Sequence, residues 1–167
     1  MSPLVRHLLA IAILPFTVAV LVPVWIARSN AITAGVGTSA AQLALQIAGL
    51  ALGAVGLTLF AASLRRFASE GEGTLAPWDP PRKLVLRGPY RFVRNPMISG
   101  VIFVLFAEAL VLLSRPHATW AAAFLALNAI YIPLMEEPQL ERRFGDPYRE
   151  YKKHVRRFCP RLTPWST

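Results

Sequence analysis

The stretch VRNPMISGVIFVLFAEALVLL, residues 93–113, begins with a charged, proline-broken tetrad and runs into an almost unbroken apolar segment. Asn is a strong helix N-cap and proline is favoured at the first helical position, so a helix is predicted to begin at Pro96. From Met97 to Leu113 the only charge is Glu108, and about 17 residues is the lower limit for crossing a bilayer as a helix. A helix start here also leaves free backbone N–H groups and a positive dipole end, which suits a carboxylate or a phosphate.

Three further apolar runs, at about 7–27, 41–64 and 120–135, accompany the one at 97–113. The first two are long enough to span unaided, and the other two need tilt or flanking residues. The chain of 167 residues is 54% hydrophobic and 16% charged, against roughly 25% charged in an ordinary soluble domain. The expected fold class is therefore all-α: a polytopic integral membrane protein with about four transmembrane helices in a single domain, residues 1–167. A cytoplasmic connector is expected at 65–96 and a cytoplasmic tail at 136–167. Arg6 and His7 precede the first run as in a signal peptide, but that run exceeds the roughly 7 to 15 residues of a signal core, so a retained helix is expected.

Basic residues set the orientation, because cytoplasmic loops near helix ends collect Lys and Arg. Seven fall between Arg65 and Arg94, eight between Arg142 and Arg161, and only Arg28 and Arg115 fall on the other side. Both termini are thus expected in the cytoplasm. The net charge of +9 then serves topology and attraction to anionic head groups. No basic stripe separates from the membrane flanks, so nucleic acid is not an expected partner. Cys159 is the only cysteine, which excludes an internal disulfide. His7, His117 and His154 have no metal-ligand spacing, and no metal is expected.

Gly49, Gly53 and Gly56 line one side of the second helix, a pattern that lets another helix approach closely in lipid and would support oligomerisation. The segment SEGEGTLAPWDPP, residues 69–81, has the Gly and Pro density of a connector, with Trp78 placed for the interface and glycines that permit a lid. Asp146-Pro147 repeats the cap-plus-proline signal. A helix from there to about Phe158 puts Tyr148, Tyr151, Val155 and Phe158 on one stripe, with Arg149, Lys152, Lys153, Arg156 and Arg157 elsewhere around it. Such an amphipathic helix lies on the membrane or folds over a cytoplasmic pocket.

Ionisable groups at or within the membrane are costly and are functional candidates by default. Glu136 and Glu137 meet the interface about 100° apart on a helix, as a solvated helix end or as ligand groups. Arg94 is a lipid-phosphate anchor or a ligand group. Glu108 lies about 18 Å along the helix from Pro96, near mid-membrane. It is expected to face the interior, where it pairs with Asn128 or Tyr131 on the fourth helix or lines a substrate cavity.

Taken together, GPYRFVRNPM at 88–97 and EEPQLERRFGDPYREYKKHV at 136–155 resemble the two signature blocks of one membrane methyltransferase group. This is the isoprenylcysteine carboxyl methyltransferase and phospholipid N-methyltransferase group, whose pattern runs G-x-Y-x-x-x-R-H-P, an apolar helix pair, then E-E-x-x-L, F-G and Y-x-x-Y. The resemblance covers about residues 74–165. It implies S-adenosylmethionine as cofactor, bound on the cytoplasmic side, with Tyr90, Arg94, Asn95 and Pro96 in the first cofactor block and Glu136, Glu137 and Tyr148 in the second. Arg94 and the helix start then hold the methionine carboxylate, a glutamate receives ribose hydroxyls or the amino group, and Tyr90 or Tyr148 offers an aromatic face to the sulfonium. Glu137 and Arg94 are the expected catalytic pair, with Glu137 as base for an amine acceptor. Glu108, Asn128 and Tyr131 are the expected substrate-binding residues. Asn95 stands where the commonest motif has histidine, so this position holds a hydrogen bond without titrating near neutral pH.

The acceptor implied is lipid-like, prenylated or otherwise apolar, entering from the bilayer. Two rival readings are a sterol-type membrane reductase using a nicotinamide nucleotide, whose members are generally larger, and a non-enzymatic scaffold or transporter subunit.

Overall fold

The computed structural model describes residues 12–70 and 83–166, and every regular element among them is helical. Arg6, His7 and the greater part of the 69–81 connector, Trp78 included, lie outside the described residues. Helix α1 begins as a wide π-type segment at Ala12–Leu21 and continues as α-helix over Val22–Ser29. Helix α2 spans Ala40–Glu70, a 3-10 turn follows at Gly88–Arg91, and α3 spans Pro96–Val111. Helix α4 covers Arg115–Tyr131, passes through a π-type segment at Ile132–Glu136 into α5, Glu137–Phe144, and α6 covers Asp146–His154.

Local sequence explains the starts. Ser39 and Gln42 form a capping box at the head of α2: the Gln42 N–H donates to Ser39 Oγ at 3.2 Å and the Ser39 N–H to Gln42 Oε1 at 3.3 Å. Helix α3 starts at Pro96, as predicted, and the Ser99 N–H donates to the Asn95 carbonyl at 2.9 Å.

The spans differ from expectation. Two helices, Ala40–Arg66 with 27 residues and Arg115–Phe144 with 30, are long and apolar enough to cross a membrane, where four were expected. The first and third runs give the shorter apolar helices Pro15–Ser29 and Pro96–Val111. The fourth helix also does not stop at 135. Proline at 138 lacks an N–H and its ring would clash with the carbonyl four residues back. The wide turn at Ile132–Glu136, where the Glu137 N–H reaches the Ile132 carbonyl, opens the backbone there and lets the helix continue. Helix α6 ends at His154, not near Phe158, because Val155 is extended.

The chain divides into two units. The first comprises Met1–Thr58 and Gly100–Leu125. Within it the glycine face of α2 packs on α3 of the same chain. A Cβ at Gly49 would lie 2.9 Å from Leu110 Cβ, at Gly53 3.2 Å from Ala107 Cβ, and at Gly56 2.8 Å from the Gly100 carbonyl oxygen. Backbone faces backbone at Gly56, so little can give way. Gly56→Ala is expected to cost about 1–3 kcal/mol by overpacking. Gly35→Ala, with nothing within 4 Å, should leave the melting temperature of the detergent-solubilised protein unchanged. Polar ties complete this unit: Gln46 Nε2 donates to the Val111 carbonyl at 2.9 Å and Trp120 Nε1 to the Val18 carbonyl at 3.1 Å. Buried His117 sits between Ser114 Oγ at 2.7 Å and the Pro23 carbonyl at 3.2 Å.

The second unit comprises Leu59–Ser99 and Ala126–Thr167. Its core is the predicted stripe, with Tyr148, Tyr151 and Val155 buried against Leu84, Leu86, Leu140, Phe144 and Trp165. Phe158 falls outside the helix.

Both long helices bury only 17% of their apolar stretch. Leu43, Leu45, Ile47, Leu50, Val55 and Leu57 of α2 are all exposed. In water an apolar face of this extent costs about 25 cal/mol per Å², so the surface is suited to lipid.

Candidate functional site

The site is built on the loop between the 3-10 turn and α3. Gly88, at φ 58°, takes a conformation that side chains disfavour and turns the chain into Pro89. Tyr90 and Val93 are buried behind it. The segment after α6 then supplies hydrogen-bond partners along the loop. The Arg94 N–H donates to the Arg156 carbonyl at 2.8 Å, the Asn95 N–H to Arg157 at 3.2 Å and the Arg161 N–H to Phe92 at 2.9 Å. Arg91 and Trp165 exchange two bonds: the Trp165 N–H donates to the Arg91 carbonyl at 2.9 Å and Arg91 Nε to the Trp165 carbonyl at 2.6 Å. Tyr151 Oη donates to the Tyr90 carbonyl at 2.6 Å.

Opposite the loop, at the head of α5, stands Glu137, whose side chain is 3% exposed. Three cations converge on it. Arg157 Nε lies 2.7 Å and Arg94 Nη2 3.3 Å from Oε1, and Lys152 Nζ lies 3.2 Å from Oε2. Lys152 also binds Glu141 Oε1 at 2.6 Å. Glu136, half-buried, makes no ion pair or hydrogen bond among the described residues. Burial, with the Glu136 carboxylate second, raises the Tyr90 phenol well above its usual range. Burial also raises Tyr148, so both phenols stay protonated at neutral pH.

Four buried polar atoms of this unit lack a hydrogen-bond partner among the described residues: Tyr90 Oη, Arg94 Nε, Arg94 Nη1 and Ser99 Oγ. An unmade buried bond costs about 1–3 kcal/mol, so four such atoms within ten residues of chain call for a polar partner, from water or from a ligand. The N–H groups of Met97 and Ile98, in the first turn of α3, likewise find no backbone partner among the described residues. An open cleft of about 800 Å³ adjoins through Arg91 and Trp165, with Lys83, Leu86 and Arg87 on its wall. None of the four atoms belongs to its lining, so the unpartnered donors, and not the cleft, define the site.

The sequence-derived candidates sort as follows. Tyr90, Arg94, Asn95, Pro96, Glu136, Glu137 and Tyr148 all lie in the second unit. Arg94 and Glu137 are in direct contact, Pro96 is buried at the helix start, and Tyr148 packs edge-on against Tyr151 at 6.3 Å within the apolar core. Glu108 lies in the first unit with Oε2 buried and without a hydrogen-bond partner among the described residues. Asn128 is buried, whereas Tyr131 is 47% exposed. Sequence reasoning missed Ser99, Tyr151, Lys152, Arg157 and Trp165. The positions of Ser99 in the first turn and of Tyr151 on the stripe were visible; nothing local distinguished Lys152 and Arg157 from solvated cations.

Comparison with curated proteins and with solved structures finds no match. The model of the family described as phospholipid methyltransferase matches residues 44–147. That stretch is more than half of the chain and takes in the loop from Tyr90 to Pro96 as well as the Glu136-Glu137 pair. The chain therefore belongs to the phospholipid methyltransferase family.

Proposed function

We propose that the chain is an integral membrane methyltransferase that uses S-adenosylmethionine and methylates a lipid-like, prenylated or other apolar acceptor at the cytoplasmic face. The carrying observation is the set of unpartnered buried donors at Tyr90, Arg94 and Ser99 beside the start of α3. These residues fit a ligand that carries a carboxylate and hydroxyl groups. Bound there, the sulfonium supplies an activated methyl group for in-line displacement. The chain's part is to hold and align the reactants in a dry site.

Arg94, with the Met97 and Ile98 N–H groups, holds a carboxylate. Tyr90, kept protonated, donates a hydrogen bond. Glu136 has its oxygens free to accept from hydroxyl or ammonium groups. Glu137 is expected to brace Arg94: a carboxylate neutralised by three cations makes a weak base, so Glu136 is the better base for an amine acceptor. In the bilayer the two long helices and the two shorter ones give four crossings, the short ones by local thinning or flanking residues. Both termini and the site then face the cytoplasm, the side that the Lys and Arg distribution favours.

Thermal stability of the detergent-solubilised protein, titrated with S-adenosylmethionine and with NADPH, tests this reading. A ligand at 100 times its dissociation constant adds about 2.7 kcal/mol. We expect a shift with S-adenosylmethionine alone; a shift with NADPH alone would make the chain a reductase, and none with either a scaffold. Radiolabelled methyl transfer into a lipid extract identifies the acceptor class.

A further inference from the structure

Beyond residue 147, where the family match ends, Arg157 touches both halves of the site. Its carbonyl accepts the Asn95 N–H at 3.2 Å, and its Nε donates to Glu137 Oε1 at 2.7 Å. Arg94 Nη2 reaches that same oxygen at 3.3 Å. One residue thus fixes the backbone that carries Arg94 and the carboxylate that orients its guanidinium. The neighbouring contacts act in the same sense, since Arg156, Arg161 and Trp165 bond to the backbone of Arg94, Phe92 and Arg91. Trp165 is held in turn by Tyr151, at 5.6 Å, and by stacking on His154, at 5.8 Å.

We propose that Arg157 is a positioning residue of the donor site, and that the segment from Arg156 to Trp165 is a clamp that presets the loop before ligand arrives. This rests on the proposed function for the identity of the ligand, but not for the clamp itself. Arg157 acts through Glu137 and Asn95 and need touch no substrate. Preorganisation of this kind appears in ligand affinity, because a loop already in its bound shape loses less freedom on binding.

The experiment compares wild type, Arg157→Ala and Arg157→Lys in two readouts. Hydrogen exchange without ligand reads the clamp: the Arg94 and Asn95 amides should exchange at least about tenfold faster in Arg157→Ala, since 1.4 kcal/mol of lost protection is a tenfold change. Steady-state kinetics read the donor site: KM for S-adenosylmethionine should rise about 10- to 100-fold, the range for a lost charge-assisted bond, with the acceptor KM within about twofold. Arg157→Lys restores the charge but not the guanidinium geometry and should recover part of both effects. The carbonyls that accept the Arg94 and Asn95 N–H groups remain in Arg157→Ala, so unchanged exchange there overturns the role of the Arg157 side chain in holding the clamp. Faster exchange with an unaltered donor KM overturns the positioning role and leaves a merely structural ion pair. If wild type shows no turnover with S-adenosylmethionine while exchange responds as stated, the donor reading falls and the clamp stands.

Discussion

Glu137→Ala is expected to destabilise the protein by about 3–5 kcal/mol, the usual consequence of removing one partner from a buried ion pair, and to abolish methyl transfer. The reason lies in what remains. Arg94, 9% exposed at its side chain, would face Arg157 and Lys152 with no carboxylate between them. Arg157 and Lys152, at 28% and 38% exposed, can turn toward water, but Arg94 is held by the loop on both sides of its own backbone. Glu137→Gln keeps the shape and one acceptor oxygen without the charge, so it should lose nearly as much activity and somewhat less stability. Denaturant midpoints of Glu137→Ala, Arg94→Ala and the double variant check the mechanism. The two losses should be less than additive by at least about 1 kcal/mol, because removing Arg94 removes the charge that Glu137→Ala strands. Strict additivity would show that the 3.3 Å contact carries no energy.

What could be read from the sequence followed from local rules with few competitors. The cap-plus-proline pair placed the start of α3 at Pro96, the glycine spacing placed the close face of α2, and the stripe of Tyr148, Tyr151 and Val155 placed the core of the second unit. Each depends on residues within about two helical turns of one another. The same locality explains what was not legible. The fourth apolar run ends at 135, yet the helix continues past Pro138, and the π-type turn that lets it do so has no sequence signature as plain as proline itself. Asn128 and Tyr131, three apart, share a helix face by periodicity, yet one is buried and the other 47% exposed. Arg157 sits in a run of basic residues and gains its role only by contacts with Glu137 and Asn95, 20 and 62 residues away along the chain. Long-range pairing of this sort leaves no periodic trace.

Arg94 is predicted to separate binding from folding. Arg94→Ala leaves Glu137 with Arg157 and Lys152, so its carboxylate stays compensated and the stability loss should be smaller than for Glu137→Ala. Donor affinity should nevertheless fall at least about 100-fold. Arg94 Nε and Nη1 are buried donors with no partner among the described residues, and charge-assisted bonds are worth about 1.5–3 kcal/mol each, while 1.4 kcal/mol is tenfold in affinity. Arg94→Lys is the sharper test. An ammonium is a compact point charge, so a lysine drawn to Glu137 offers no second, separately directed set of donors to a ligand. The guanidinium does both, with Nη2 on Glu137 and the remaining nitrogens free. The Lys variant should therefore melt close to wild type yet bind S-adenosylmethionine nearly as weakly as Arg94→Ala, by thermal shift and by donor KM. A Lys variant with wild-type donor KM would mean that Arg94 serves only as a counter-charge to Glu137, and the unpartnered nitrogens would then have to be assigned to some group other than the donor.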